Sequence, residues 1–173
     1  CLLPAELLRP RWAAAHAATL FSATLAPMAH TQRLLGLDER TAQLDVPSPF
    51  NATQLSVRIA QGLSTRWADR ARTLPRLVRE LVDHVRATPG KHLAFFSSFD
   101  YLEQALVAFQ AAAHDVPVWA QARNMDEAAR AAFLARLTPG ATGLGFAVLG
   151  GVFAEGIDLP GERLVGVSVA TLG

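Results

Sequence analysis

The residues best suited to chemistry lie in one stretch, Gly150-Gly151-Val152-Phe153-Ala154-Glu155-Gly156-Ile157-Asp158-Leu159-Pro160-Gly161. Two carboxylates, Glu155 and Asp158, stand among glycines. Glycine takes positive φ at no steric cost and lets a backbone approach a ligand closely. Backbone N–H groups exposed in such a turn form a concavity that suits a phosphate. The bland alternative is that Asp158 caps a turn or a helix N-terminus. A second candidate is Ser97-Ser98-Phe99, where an apolar run ends and a helix begins. Hydroxyls and N–H groups at a helix start also suit a phosphate. Ser98 would equally serve as a plain N-cap, and Phe99 is either a stacking face for a base or a core side chain.

The elements that must position these groups alternate in type. Leu74, Leu77, Val78, Leu81, Val82 and Val85 recur at three and four residues, which predicts a helix over 73–87, stopped by Pro89-Gly90. His92 to Phe96 reads as a fully buried strand. The next helix has Asp100 and Glu103 spaced as a capping box. Val116 to Trp119 predicts a short strand, and Asn124 and Glu127 cap a further helix. Apolar runs at 142–149 and 164–170 flank the glycine-rich turn as strands. This α-β-α-β-α-β-turn-β order predicts an α/β fold, three-layer α/β/α around a mainly parallel sheet. In such sheets ligands bind outside the carboxyl ends of the strands. The earlier part is less regular. Residues 2–11 read as the end of an element, Ala17 to Ser22 as a short buried strand, and 28–37 as a helix stopped near Gly36. Residues 43–60 look extended, with Leu55, Val57 and Ile59 alternating like a strand.

Composition bounds the function. The chain has 173 residues, 51% hydrophobic and 18% charged, which is globular rather than disordered. No apolar run approaches the roughly 20 residues that cross a bilayer, and no charged segment precedes an apolar one as in a signal peptide. No membrane partner is expected. The single cysteine, Cys1, excludes an intrachain disulfide and any cysteine-built metal site within the chain. Cytosol is the expected compartment. A start at Cys1 rather than Met suggests a segment of a longer polypeptide. Net charge is only +1, but eight of the Arg and Lys residues lie in 58–91 against three acids. That segment is either a phosphate-facing patch or a solvated helix face. GxxxxGK[ST] is absent; Gly90-Lys91-His92 is a partial echo that precedes a strand. Gly143-Leu144-Gly145 fails the dinucleotide pattern, and Ser168 is in no GxSxG elbow.

Four segments, in order, resemble motifs of the DinG/XPD-like superfamily 2 DNA helicases. Ser22-Ala23-Thr24-Leu25-Ala26-Pro27 resembles motif III, and Ser48-Pro49-Phe50-Asn51 resembles the SPF segment that opens lobe 2. Ala94 to Leu102 resembles motif IV, and Gly150 to Pro160 resembles motif V. Two departures stand out: Ala154 replaces the usual Ser before Glu155, and Phe99 replaces the usual Tyr. The resemblance implies a RecA-like second motor lobe over 28–173, preceded by a lobe 1 remnant over 1–27. It implies that Thr24, Glu155, Gly156 and Asp158 serve the ATP site or its coupling, Asp158 by accepting from a ribose hydroxyl or orienting an arginine. Ser97, Ser98, Phe99 and Gly151 would contact DNA.

The implied partners are single-stranded DNA and lobe 1 of the same polypeptide. An orphaned N-terminal strand would also invite self-association. ATP and Mg would act in the full-length parent, with a 4Fe-4S cluster conceivable in its other parts. This segment alone would bind none of them. The Walker motifs are expected before residue 1 and motif VI after Gly173. The rival readings are a non-catalytic α/β module that binds nucleic acid or protein through 58–91, and the same lobe in a nuclease or other translocase.

Because the chain contains no P-loop, the pure 173-residue protein is expected to show no ATPase activity. Phosphate release measured with and without single-stranded DNA checks this; DNA-stimulated turnover would contradict it.

Overall fold

The computed structural model describes residues 3–154 and 156–171. The chain forms two compact units, residues 1–56 and 57–173.

In the second unit, helix α3 (Arg70–Ala87) buries Leu77, Val78, Leu81, Val82 and Val85 along one stripe. This is the apolar face read from the sequence, extended at its start. Strand β1 (Lys91–Phe96) is buried throughout. Helix α4 (Phe99–Ala112), strand β2 (Val118–Ala120), helix α5 (Glu127–Ala135), strand β3 (Gly143–Val148) and strand β4 (Gly166–Val169) follow. The strands are all parallel, in the order β2-β3-β1-β4. Lys91 pairs with Gly143 and Phe96 with Val148, so β1 and β3 end level with each other.

Side chains alternate across β1 as a strand requires. Ala94 and Phe96, with Leu144 and Phe146 of β3, face α3 and α4. Leu93 and Phe95, with Ala147 and Trp119, face α5 and the crossing segment that carries Phe153, Ile157, Leu159 and Leu164. The result is the RecA-like three-layer α/β/α arrangement. Each large apolar side chain buried this way contributes about 1.5–3 kcal/mol, so the two clusters on opposite sheet faces dominate its stability.

Several local expectations are corrected. The N-cap of α4 is Ser98, whose Oγ accepts from the Tyr101 N–H at 3.3 Å. Asp100 and Glu103 form no capping box and instead pair with Arg123. The N-cap of α5 is Asp126, not Asn124; its Oδ1 accepts from the Ala129 N–H at 2.8 Å. Residues 55–59 form no strand and are exposed, because alternation alone supplies no paired neighbour.

The first unit holds helices α1 (Ala5–Ala14) and α2 (Met28–Leu35). The Trp12 Nε1–H donates to the Leu35 carbonyl at 2.8 Å. Gly36 ends α2 at φ +66°, as expected of a helix stop. A Cβ at Gly36 would lie 2.7 Å from the Ala5 carbonyl, so glycine there also admits α1. Ala17 to Ser22 is not a strand but irregular and largely exposed. Among the described residues this unit contains no strand to satisfy another strand's backbone donors and acceptors.

His92 is fully buried in β1. Its Nε2 lies 2.7 Å from the Thr88 carbonyl, and the His84 ring sits edge-on with centroids 4.9 Å apart. Burial, above all, lowers the His92 pKa below the ordinary imidazole value; the bond to Thr88 opposes this and His84 adds to it. The unfolded chain then binds this proton more readily than the native one. His92 therefore costs no stability above the unfolded pKa of about 6.5, and destabilises progressively as pH falls below it. The thermal midpoint is expected to drop between about pH 7 and pH 5; a flat or rising midpoint would contradict this. At Gly145 of β3, an added Cβ would lie 2.7 Å from Leu93 Cδ2 and 2.8 Å from Trp119 Cε2. Gly145→Ala is expected to destabilise the second unit by about 1–3 kcal/mol, read as a lower denaturant midpoint.

Candidate functional site

Parallel strands that end level deliver their following loops to one edge. The Ser97-Ser98-Phe99 segment leaves β1, and the glycine-rich segment leaves β3, at the same carboxyl edge. Leu149 N–H donates to the Phe96 carbonyl at 2.8 Å and extends the pairing one residue past the strand.

The glycine-rich segment is held from beneath. Phe153 is buried and stacks on Phe133 of α5, centroids 4.1 Å apart. Ala154, Ile157 and Leu159 pack on the same cluster. Gly151 N–H donates to the Val148 carbonyl at 3.2 Å, and Ala154 N–H to the Gly151 carbonyl at 2.9 Å. After β2, Gln121 Oε1 accepts from Val148 N–H at 2.9 Å and ties the start of the turn to the neighbouring loop. A Cβ at Gly151 would lie 3.1 Å from the Val148 carbonyl and 3.4 Å from Gln121 Nε2. Gly150 and Gly156 have φ of +74° and +72°, and among the described residues, their chain neighbours aside, nothing lies within 4 Å of where their Cβ would stand. Their backbone therefore faces open space.

Asp158 is exposed between two inward-facing neighbours, Ile157 and Leu159. Among the described residues it forms no ion pair and accepts no hydrogen bond within 3.5 Å. The turn-cap alternative thus finds no donor. Glu155 lies outside the described residues. Thr24 belongs to the first unit, where its N–H and hydroxyl lie 3.2 Å from Ser22 Oγ in a local turn.

Around β1 the edge is more elaborate than sequence spacing revealed. Arg70, at the start of α3, donates from Nη2 to Ser97 Oγ at 2.7 Å and from Nε to the Thr65 carbonyl at 3.0 Å. Its guanidinium also lies 4.4 Å from the centroid of the buried Tyr101 ring. Ser97 is exposed, so a cation and a hydroxyl meet at the mouth of the site. Phe99 is half-buried, and the Arg123 guanidinium stands 5.0 Å from its ring centroid. Phe99 belongs to neither buried cluster. Arg70 and Arg123 were not among the residues singled out from sequence. Arg70 is 27 positions from Ser97, and no local pattern encodes that meeting.

The basic segment 58–91 does not form a single patch. Arg70 serves the carboxyl edge, Arg72 pairs with Asp69, and Arg76 reaches the Gln61 carbonyl. Arg86 pairs with Asp115, and Lys91 begins β1 at the opposite edge. No group of three or more His, Cys, Asp or Glu residues that could hold a metal ion occurs among the described residues. No helix there is long and apolar enough to cross a membrane.

Comparison with known proteins adds one match. A family model described as the helicase C-terminal domain fits residues 81–173, more than half of the chain, spanning both carboxyl-edge segments. Thr24 and the Ser48 to Asn51 segment lie outside the matched range. No curated protein matches the chain.

The division between anchors and presented groups generates a stability prediction. Phe153→Ala is expected to cost about 3–5 kcal/mol, whereas Asp158→Ala should stay within about 0.5 kcal/mol of the parent. Urea unfolding of both variants checks this; an equally large loss for Asp158→Ala would restore the turn-cap reading.

Proposed function

The chain belongs to the helicase C-terminal domain family, and we propose that it serves as the second motor lobe of an ATP-dependent DNA helicase of the DinG/XPD type. One observation carries this reading. Two segments that resemble motifs IV and V leave adjacent parallel strands at the same carboxyl edge. One brings hydroxyls, an arginine and an aromatic face; the other brings open glycine backbone and a carboxylate with no partner among the described residues.

On this reading Ser97, Ser98, Phe99 and Gly151 meet single-stranded DNA. Ser97 and Arg70 offer donors to a backbone phosphate. Ser98 contributes less through its hydroxyl, which already caps α4, and more by fixing the backbone N–H groups of that turn. Phe99 offers one ring face to a base; Arg123 already lies against this ring.

Gly156 and Asp158, with Glu155, form one wall of an ATP site completed by lobe 1. The residues present fit a nucleotide in part. The open turn accommodates phosphate oxygens, and Asp158 is free to accept from a ribose hydroxyl or to orient an arginine. The sequence supplies no phosphate-binding lysine in a P-loop, and the described residues hold no cluster of carboxylates for Mg. Those groups belong to lobe 1 in this account. By the same resemblance Thr24 couples nucleotide state to DNA grip, and nucleotide turnover opens and closes the interlobe cleft around the strand.

The test uses the polypeptide that carries both lobes. Asp158→Ala is expected to lower DNA-stimulated ATP turnover about tenfold or more, a loss of about 1.4 kcal/mol in transition-state stabilisation. Ser97→Ala is expected to weaken single-strand binding by a few-fold, as loss of one phosphate contact does. Unchanged turnover in Asp158→Ala, with the protein folded, would contradict the assignment of this edge to the motor.

A further inference from the structure

The opposite, amino edge of the sheet holds a cleft of about 350 Å³ lined by Lys91, Pro117, Val118, Trp119 and Arg136. Lys91 starts β1, Val118 starts β2, and Arg136 follows α5. None of these residues lies in either carboxyl-edge segment.

The charges in this cleft are one-sided. Lys91 is 8% exposed, unusual for a lysine, and its Nζ lies 5.8 Å from the Trp119 ring centroid. The Arg136 guanidinium lies 5.9 Å from the same centroid, and its Nη1 makes only a long 3.5 Å contact to the Val118 carbonyl. Among the described residues, neither cation forms an ion pair. The Lys91 stem is buried while its ammonium still reaches solvent, and two cations at one indole repel each other. The indole offsets part of this through its ring face. At the floor, a Cβ on Gly143 would stand 3.1 Å from the Pro117 carbonyl and from Trp119 Cζ3, and 3.4 Å from Lys91 Nζ. Glycine at this position leaves space beside the ammonium.

We propose that this amino-edge cleft is a phosphate-binding site, with Lys91 and Arg136 as its two cations and Trp119 as its apolar wall. Charge selects the ligand. The pair carries two positive charges, and a phosphate monoester carries about −1.5 to −2 near neutral pH. A guanidinium fork and a compact ammonium together suit three terminal oxygens better than a single carboxylate. The source is either free phosphate or the phosphate of a nucleotide, whose apolar part would lie along Pro117, Val118 and Trp119. The site is independent of the motor reading, because it sits on the other edge of the sheet.

The Trp119 indole N–H provides the readout. The isotope-labelled chain is titrated, at constant ionic strength, with inorganic phosphate and separately with adenosine monophosphate. A saturable shift of the Trp119 indole signal is expected at about millimolar concentration. Arg136→Gln and Lys91→Met should each weaken it about tenfold, while the Ser97 and Gly151 amides stay in place. Lys91→Met keeps the buried stem. Should it nevertheless unfold, Arg136→Gln, whose side chain is exposed, tests the site alone. Equal affinities for the two ligands identify free phosphate as the ligand; tighter binding of the nucleotide identifies a nucleotide. No saturable Trp119 shift with either ligand, or equal affinity in the variants, overturns the proposal.

Discussion

The parallel pairing of β1 with β3 is the constraint on which the candidate site depends. Its register sets Phe96 beside Val148 and ends both strands level. A shift of one residue in β3 would turn Phe146 out of one cluster and Ala147 out of the other, because side chains alternate with a period of two. The register is therefore fixed by two cores at once. With it fixed, the loops after these strands have only one edge on which to emerge. The proximity of the two segments follows from this geometry rather than from contacts between the loops themselves.

Within that frame, rigidity and openness are divided along the sequence. In Val152 to Leu159 the apolar residues Phe153, Ile157 and Leu159 point into the second cluster. Gly150, Gly156 and Asp158 are left exposed. A turn built this way presents backbone and carboxylate without relying on them for stability. The replacement of Ser by Ala at 154 suits the inward side of this pattern, since Ala154 packs on the cluster. Phe99 in place of Tyr keeps a ring face under Arg123 and gives up a phenol.

Much of this was legible in the sequence, for physical reasons that also explain the errors. β1 carries the apolar run Leu93–Phe96 followed by serine, β3 is apolar and glycine-bounded, and α3 carries an apolar stripe; these are the strongest secondary-structure signals a sequence offers. Caps were misplaced because Ser98, Asp100, Asn124 and Asp126 all have the chemistry to cap, and only the backbone angle at each helix start decides between them. The Ala17 to Ser22 run has the composition of a strand, but a strand exists only where another strand accepts its hydrogen bonds. The joining of Arg70 to Ser97 and of Arg123 to Phe99 crosses long stretches of chain, so spacing carries no trace of it. The same holds for Lys91 and Arg136, which meet at Trp119, whereas Arg70 and Lys91, both within 58–91, are sent by the fold to opposite edges of the sheet.

The most direct test of the central claim maps single-stranded DNA onto the folded second unit. Amide signals of the labelled chain are followed as a short oligothymidine is added at low salt, where phosphate contacts are strongest. The account predicts that perturbed residues cluster at 97–99, at 150–158 and at the Arg70 side chain, all on the carboxyl edge. Perturbation confined to the amino edge, or to the solvent face of α3, would contradict it.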